Sequence, residues 1–163
     1  MIAYKFLGEG KVAPFSGVTW PDQGEWLEVE TVDPCRVGVH ACRIAQLPYW
    51  LRPELWEVEL DGEVVEGELM VVAPRGRLVR RVEAWNRDTE REFGEACAAE
   101  ARKRVERSPE LELFAVDVEQ TAASATAFAA FATARLAELQ DGPPGYDAER
   151  LRQARWLAGA LAL

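Results

Sequence analysis

The only histidine of the chain stands in its chemically densest stretch, Pro34-Cys35-Arg36-Val37-Gly38-Val39-His40-Ala41-Cys42, which runs on through Arg43 to Leu51 with Tyr49 and Trp50 near its end. An imidazole with an ordinary pKa of ~6.5 serves as a base, a proton carrier or a metal ligand. Cys42 lies two residues on, and on a strand it shares a face with His40, so a Cys-His nucleophile pair is the first catalytic idea. Cα atoms at that spacing are ~6.6 Å apart, and a direct thiol–imidazole bond therefore needs local distortion. His40 and Cys42 are the catalytic candidates. His40, Tyr49 and Trp50 are the nearest set for a ligand pocket, and Gly38 suits a close backbone approach there.

Cys35, His40, Cys42 and Cys97 together match the Cys3His complement of a structural zinc site. Their spacing argues against it: six residues separate Cys35 from Cys42, whereas knuckles use ~2–4. Strand alternation also sends those two thiols to opposite faces. The reading is buried free thiols and no bound cofactor, with zinc as the alternative.

The arginines are the third chemical feature. From Glu54 to Glu68 there are seven acidic residues and no basic one, whereas Arg75, Arg77, Arg80 and Arg81 crowd the following stretch. Neighbouring strands with opposite-charge pairs, each worth ~0.2–1 kcal/mol, account for the segregation. The competing reading is an anion-binding face, in which Arg75, Arg77 and Arg80 join His40, Tyr49 and Trp50 as binding residues. No phosphate loop, dinucleotide fingerprint or nucleophile elbow occurs.

The elements that must position these groups fall into two halves. Ile2 to Leu7, Glu25 to Val32, a strand from near Cys35, Glu54 to Asp61, Leu69 to Ala73 and Leu78 to Trp85 are β-favouring. Val37 and Val39 are expected on the buried face of the strand from near Cys35, and Trp56, Val58 and Leu60 on the buried face of the Glu54 strand. Asp61-Gly62 reads as a hairpin turn. Gly8 to Gly24 is rich in breakers and reads as loop. Arg43 to Leu51 reads as a short helix interrupted at Pro48.

Beyond residue 88 the pattern is helical. Thr89 to Glu92 fits a capping box, and Phe93, Cys97, Ala101 and Val105 recur on one face. Ser108-Pro109 closes that helix and opens another, whose stripe is Leu111, Phe114, Ala115, Val118 and Ala122 and which runs on to Gln140 if unbroken. Asp147 is expected to cap a last helix. Strands followed by helices give an α+β fold: a small, mainly antiparallel sheet in residues 1–86 and a helical extension in residues 88–163 that packs on it or on a partner.

Cys35-Arg36-Val37-Gly38-Val39-His40-Ala41-Cys42 resembles the Cys-x-x-Gly-x-His-Ala-Cys signature of an uncharacterised domain of bacterial and phage proteins. That domain similarly begins with a Tyr-Lys strand, here Tyr4-Lys5, and has a short helix and a strand after the signature. The resemblance covers residues 2–85 and implies no activity. More remotely, a strand-borne His followed by a small residue and a helix looks like the first motif of ADP-ribosyltransferase-like folds, with Cys42 where a Thr or Ser is usual.

The chain has 163 residues, 28 acidic against 19 basic, for a net charge of −9. Such a surface repels phosphate backbones and anionic headgroups, so nucleic acid and membranes are not expected partners. The apolar run from Thr121 to Ala134 is too short to span ~30 Å of hydrocarbon. Three cysteines and no export signal suggest the reducing cytoplasm. The expected function is a binding or assembly module with a pocket at His40. Its ligand is a small molecule, or else a protein partner or second copy meets the C-terminal helices through Phe128, Phe131, Leu136, Leu139, Leu157 and Leu161. The alternatives are a small enzyme or nucleotide-binding domain using His40 and nearby arginines, and a zinc-supported structural domain.

Overall fold

The computed structural model describes residues 1–34, 36–112, 118 and 125–163. The chain is α+β, with antiparallel strands in the N-terminal half and helices in the C-terminal half. It divides into two compact units, Met1–Trp85 and Asn86–Leu163.

In the first unit β1 (Ile2–Leu7), β4 (Glu54–Asp61), β7 (Arg75–Arg81) and β2 (Trp26–Glu28) form one antiparallel sheet in the order β1-β4-β7-β2. A smaller sheet has the order β3-β6-β5, from β3 (Val39–Ala41), β6 (Val71–Ala73) and β5 (Val65–Glu66). One bridge joins the end of the small sheet to the edge of the large one. Tyr4 N donates to Cys42 O at 2.8 Å, and Cys42 N donates to Tyr4 O at 2.7 Å. Between them the sheets enclose a core in which Val39, Val58, Leu60, Val71, Ala73 and Leu78 are essentially inaccessible.

β4 is one of the two inner strands, and from Trp56 onward its alternation follows the sequence: Trp56, Val58 and Leu60 are buried while Glu57 and Glu59 reach the surface. It departs from expectation at its end. Gly62 makes the turn at φ 87°, but β4 pairs with β1 and β7, and the chain passes instead into the second sheet. The acidic and basic segments are indeed neighbours, with Glu59 opposite Arg77 and Glu57 opposite Arg80.

The strand expected from near Cys35 is shorter than its residue types suggest. Cys35 lies outside the described residues, a turn closes from Asp33 to Val37, and Val37 is 42% exposed. Gly38 is the physical cause, because its φ of +148° breaks the extended path just before Val39. An added Cβ there would lie 2.2 Å from Val72 Cγ1, so only glycine lets β3 approach β6 so closely. The β2 segment likewise shrinks to Trp26–Glu28. The turn after Cys42 is a 3-10 helix over Ile44–Tyr49, with Pro48 inside it.

In the second unit α1 spans Arg87–Arg107, α2 Thr126–Asp141 and α3 Pro143–Leu161. Asn86 caps α1 by accepting from Asp88 N and Thr89 N, so the capping box expected at Thr89 is not the start signal. Phe93, Cys97 and Ala101 lie on its buried face as the four-residue spacing predicts, whereas Val105, the last of that series, is only half-buried and Arg104 beside it is buried instead. A single helix from Pro109 to Gln140 does not form: a 3-10 turn covers Pro109–Leu111, and Ala125, at φ −146°, precedes α2 as a non-helical residue. Phe114, Ala115 and Ala122 of the expected stripe lie outside the described residues. Gly142, at φ 73°, separates α2 from α3, which starts at Pro143 and not at Asp147. The helices pack closely through alanines, and Glu149, which is 1% exposed, accepts from Arg152 and Gln153 within that core.

Candidate functional site

A cavity of about 500 Å³ opens on the first unit where the two sheets meet. Its lining comes from five places along the chain: Tyr4, Lys5 and Phe6 of β1, the loop from Ala13 to Ser16, the Arg36-to-Cys42 segment, Tyr49, Trp50 and Arg52 around the 3-10 helix, and Met70 just before β6. The Tyr4–Cys42 bridge is what brings the first of these against the third.

His40 lies on β3 between buried Val39 and Ala41 and is itself half-buried. Its Nδ1 stands 2.9 Å from Gly38 O. A carbonyl only accepts, so Nδ1 carries the proton and the neutral ring keeps a bare lone pair on Nε2. Nε2 is buried and has no hydrogen-bond partner among the described residues. Burial pulls the imidazole below its usual pKa, and the charge of Lys5 acts in the same direction against the Gly38 hydrogen bond. His40 is therefore neutral at pH 7.

The surroundings of Cys42 disfavour a nucleophilic thiolate. The thiol is buried, its backbone is locked to Tyr4, and burial pushes its pKa up to about 12. A thiol in that state carries almost no thiolate at neutral pH. Cys97 belongs to the second unit, buried on α1 and likewise pushed up to about 12 by burial. No group of three His, Cys, Asp or Glu side chains placed to hold a metal occurs among the described residues, and Cys35 is outside them.

The aromatic side of the cavity is fixed by hydrogen bonds remote from it. Trp50 Nε1 donates to Leu69 O at 2.7 Å, which holds the indole, and Phe15 meets it edge-on at a centroid distance of 6.1 Å. Phe15 is 78% exposed, presented by the glycine-rich loop. That loop is anchored by buried Glu54, which accepts from Gly10 N at 2.9 Å and from Trp56 Nε1 at 3.0 Å.

The polar side is cationic. Lys5, Arg36 and Arg52 line the cavity with His40, and none of the described lining residues is Asp or Glu. Lys5 is half-buried, and its Nζ has no hydrogen-bond or ion-pair partner among the described residues. Burial draws its pKa down to about 8. Among the described residues Arg52 donates to the neighbouring Leu51 carbonyl alone.

The structure thus brings His40, Cys42, Tyr49 and Trp50 together and leaves Arg75, Arg77 and Arg80 out. Those arginines lie along β7, where Arg77 bonds Glu59, Arg80 meets Glu57 at 2.8 Å, and Arg75 lies between Glu28 and Asp61. Arg75 and Arg77 also flank the Trp26 ring, at 4.2 and 4.7 Å from its centroid. Sequence reasoning missed Lys5, Phe15, Arg36 and Arg52 as lining residues. One signal was present for Lys5, a lysine flanked by aromatics in an apolar strand.

Compared with protein-family models, curated proteins and solved structures, the chain matches none of them.

Proposed function

We propose that residues 1–85 form a binding module for a small organic anion that carries an aromatic ring, held in the cavity beside His40. The observation that supports it is the lining. In a chain with a net charge of −9, the cavity is faced by Lys5, Arg36 and Arg52 with no carboxylate among its described lining residues, Asp33 lying 3.8 Å from Arg36 outside that lining. A cationic wall inside a cavity attracts anions more strongly than an open surface, because low-dielectric walls focus the field. Trp50 and Phe15, in edge-on contact in the same lining, offer an apolar seat of the kind that small-molecule sites use, and the volume falls within the ~300–1,000 Å³ such sites span.

Calorimetry and thermal shift with phenyllactate, set against the uncharged benzyl alcohol, test the reading. Phenyllactate should bind and raise the melting temperature, and benzyl alcohol should not. Arg52→Gln should weaken phenyllactate binding about 10- to 100-fold, the worth of one charge-assisted hydrogen bond. Equal responses to acid and alcohol would remove the electrostatic basis of the proposal.

A second reading concerns the helical unit, where Phe128, Phe131 and Leu139 are 46%, 46% and 54% exposed. It gives this unit the role of an assembly surface for a second copy of the chain.

A further inference from the structure

An ammonium group taken out of water without a counter-charge is costly, and the usual outcome is a neutral amine. Lys5 is in that position. The chain has three lysines, Lys5, Lys11 and Lys103. Lys11 meets Asp22 and the Pro21 carbonyl. Lys5 has no such partner among the described residues, and it projects from a β1 that is pinned on one side by β4 and on the other by the Cys42 bridge. Its amine is therefore presented by a rigid strand at the wall of a cavity that draws carboxylates.

We propose that Lys5 Nζ forms a reversible imine with an aromatic 2-oxo carboxylate bound in this cavity. The inference rests on the anion-binding reading above. In such a ligand the carboxylate meets Arg52 and the ring meets Trp50, and the carbonyl carbon, one bond from the carboxylate, is offered to Lys5, which lines the same cavity. The nitrogen lone pair forms the N–C bond as the carbonyl π pair moves onto oxygen. One nitrogen proton passes to that oxygen, giving a carbinolamine. The C–O bond then breaks, the hydroxyl leaves as water with the remaining nitrogen proton, and C=N is formed.

Neighbouring groups favour this path. A lysine with a pKa of about 8 holds on the order of a hundredfold more neutral amine at pH 7.5 than an ordinary one. The Cys42 thiol stays protonated and does not compete for the carbonyl. His40 is held towards its neutral form, so no imidazolium charge opposes a protonated imine.

The test incubates the full chain with phenylpyruvate and cyanoborohydride, which reduces an imine to a stable amine and spares the free ketone, and maps the label by peptide mass. Phenyllactate, which lacks the carbonyl, serves as the binding control. The expected result is label on the Lys5 peptide about tenfold or more above the Lys11 and Lys103 peptides, and its loss in Lys5→Arg. The comparison among lysines within the wild-type chain holds even if that variant does not fold. Phenyllactate binding without preferential label at Lys5 would overturn the imine and leave the binding reading standing. Neither binding nor label would overturn both.

Discussion

Lys5 and Gly38 carry the two departures from ordinary residue behaviour in this site. Gly38 supplies a backbone angle that other residues adopt only under strain, and Lys5 holds an amine where a charge is poorly solvated. The second has a measurable cost. With its folded pKa near 8 and its unfolded pKa at the ordinary value near 10.5, Lys5 binds its proton less readily in the native state than in the unfolded one. Between those limits the unfolded chain holds more protons, so the penalty is fully present below about 8 and is relieved as pH climbs from about 8 to 10.5. Replacing Lys5 by Met removes the penalty. Lys5→Met should therefore be more stable than wild type by about 2–3 kcal/mol at pH 7, with the advantage shrinking as the pH approaches 10. Urea titrations of both proteins at pH 7 and 9.5 check it, and a gap that fails to narrow would contradict a depressed lysine pKa. His40, Tyr49 and Trp50 were legible as neighbours because one continuous segment carries them. Lys5 was not, because its place in the site depends on the Tyr4–Cys42 bridge, a pairing across 38 positions that no local pattern announces.

At the scale of elements, alternation was a good guide where a strand is covered on one face and flanked by long partners. β4 shows this, as does α1, whose four-residue spacing predicts its buried face. It failed where backbone geometry overrides side-chain preference, as between Asp33 and Val39, and where a helix start is decided by a better cap, Asn86, upstream of an adequate one. The charge segregation was also legible, and the β4–β7 register turns it into specific pairs. Arg77 Nε donates to Glu59 Oε2 at 2.8 Å, in an arrangement that is more than a third exposed. A double-mutant cycle of Arg77→Ala and Glu59→Ala should give a coupling of about 0.2–1 kcal/mol that falls at 1 M salt. A coupling of several kcal/mol, insensitive to salt, would mean that this pair belongs to a desolvated site and not to the outer face of a sheet. The same pairing leaves β7 without a free cationic face among the described residues despite its density of arginines, so the anion site we propose is the cavity at the junction of the two sheets.

The whole molecule joins units held together by different means. Met1–Trp85 relies on branched and aromatic side chains between sheets, whereas Asn86–Leu163 relies on alanine-lined helix contacts with a buried polar group, Glu149, satisfied by Arg152 and Gln153. Alanine packing buries little area per residue, so a helical unit of this kind gains from covering further apolar surface. The sequence offered six residues for that surface, and the structure separates them. Leu136, Leu157 and Leu161 are already core, at 1%, 0% and 4% exposed, while Phe128, Phe131 and Leu139 remain outside. Their spacing of three and eleven places all three along one stripe of α2 at 100° per residue. A stripe of two phenylalanines and a leucine suits the same stripe on a second copy, since a two-fold interface presents each patch to itself. The net charge of −9 per chain opposes that association, and salt screens the repulsion. Sedimentation equilibrium should therefore show a concentration-dependent dimer that strengthens between about 0.05 and 0.5 M salt. Phe128→Ser combined with Leu139→Ser should return the chain to a monomer with its helical content intact. A wild-type chain that stays monomeric at every salt concentration would leave the assembly reading without support and the cavity beside His40 as the binding surface to pursue.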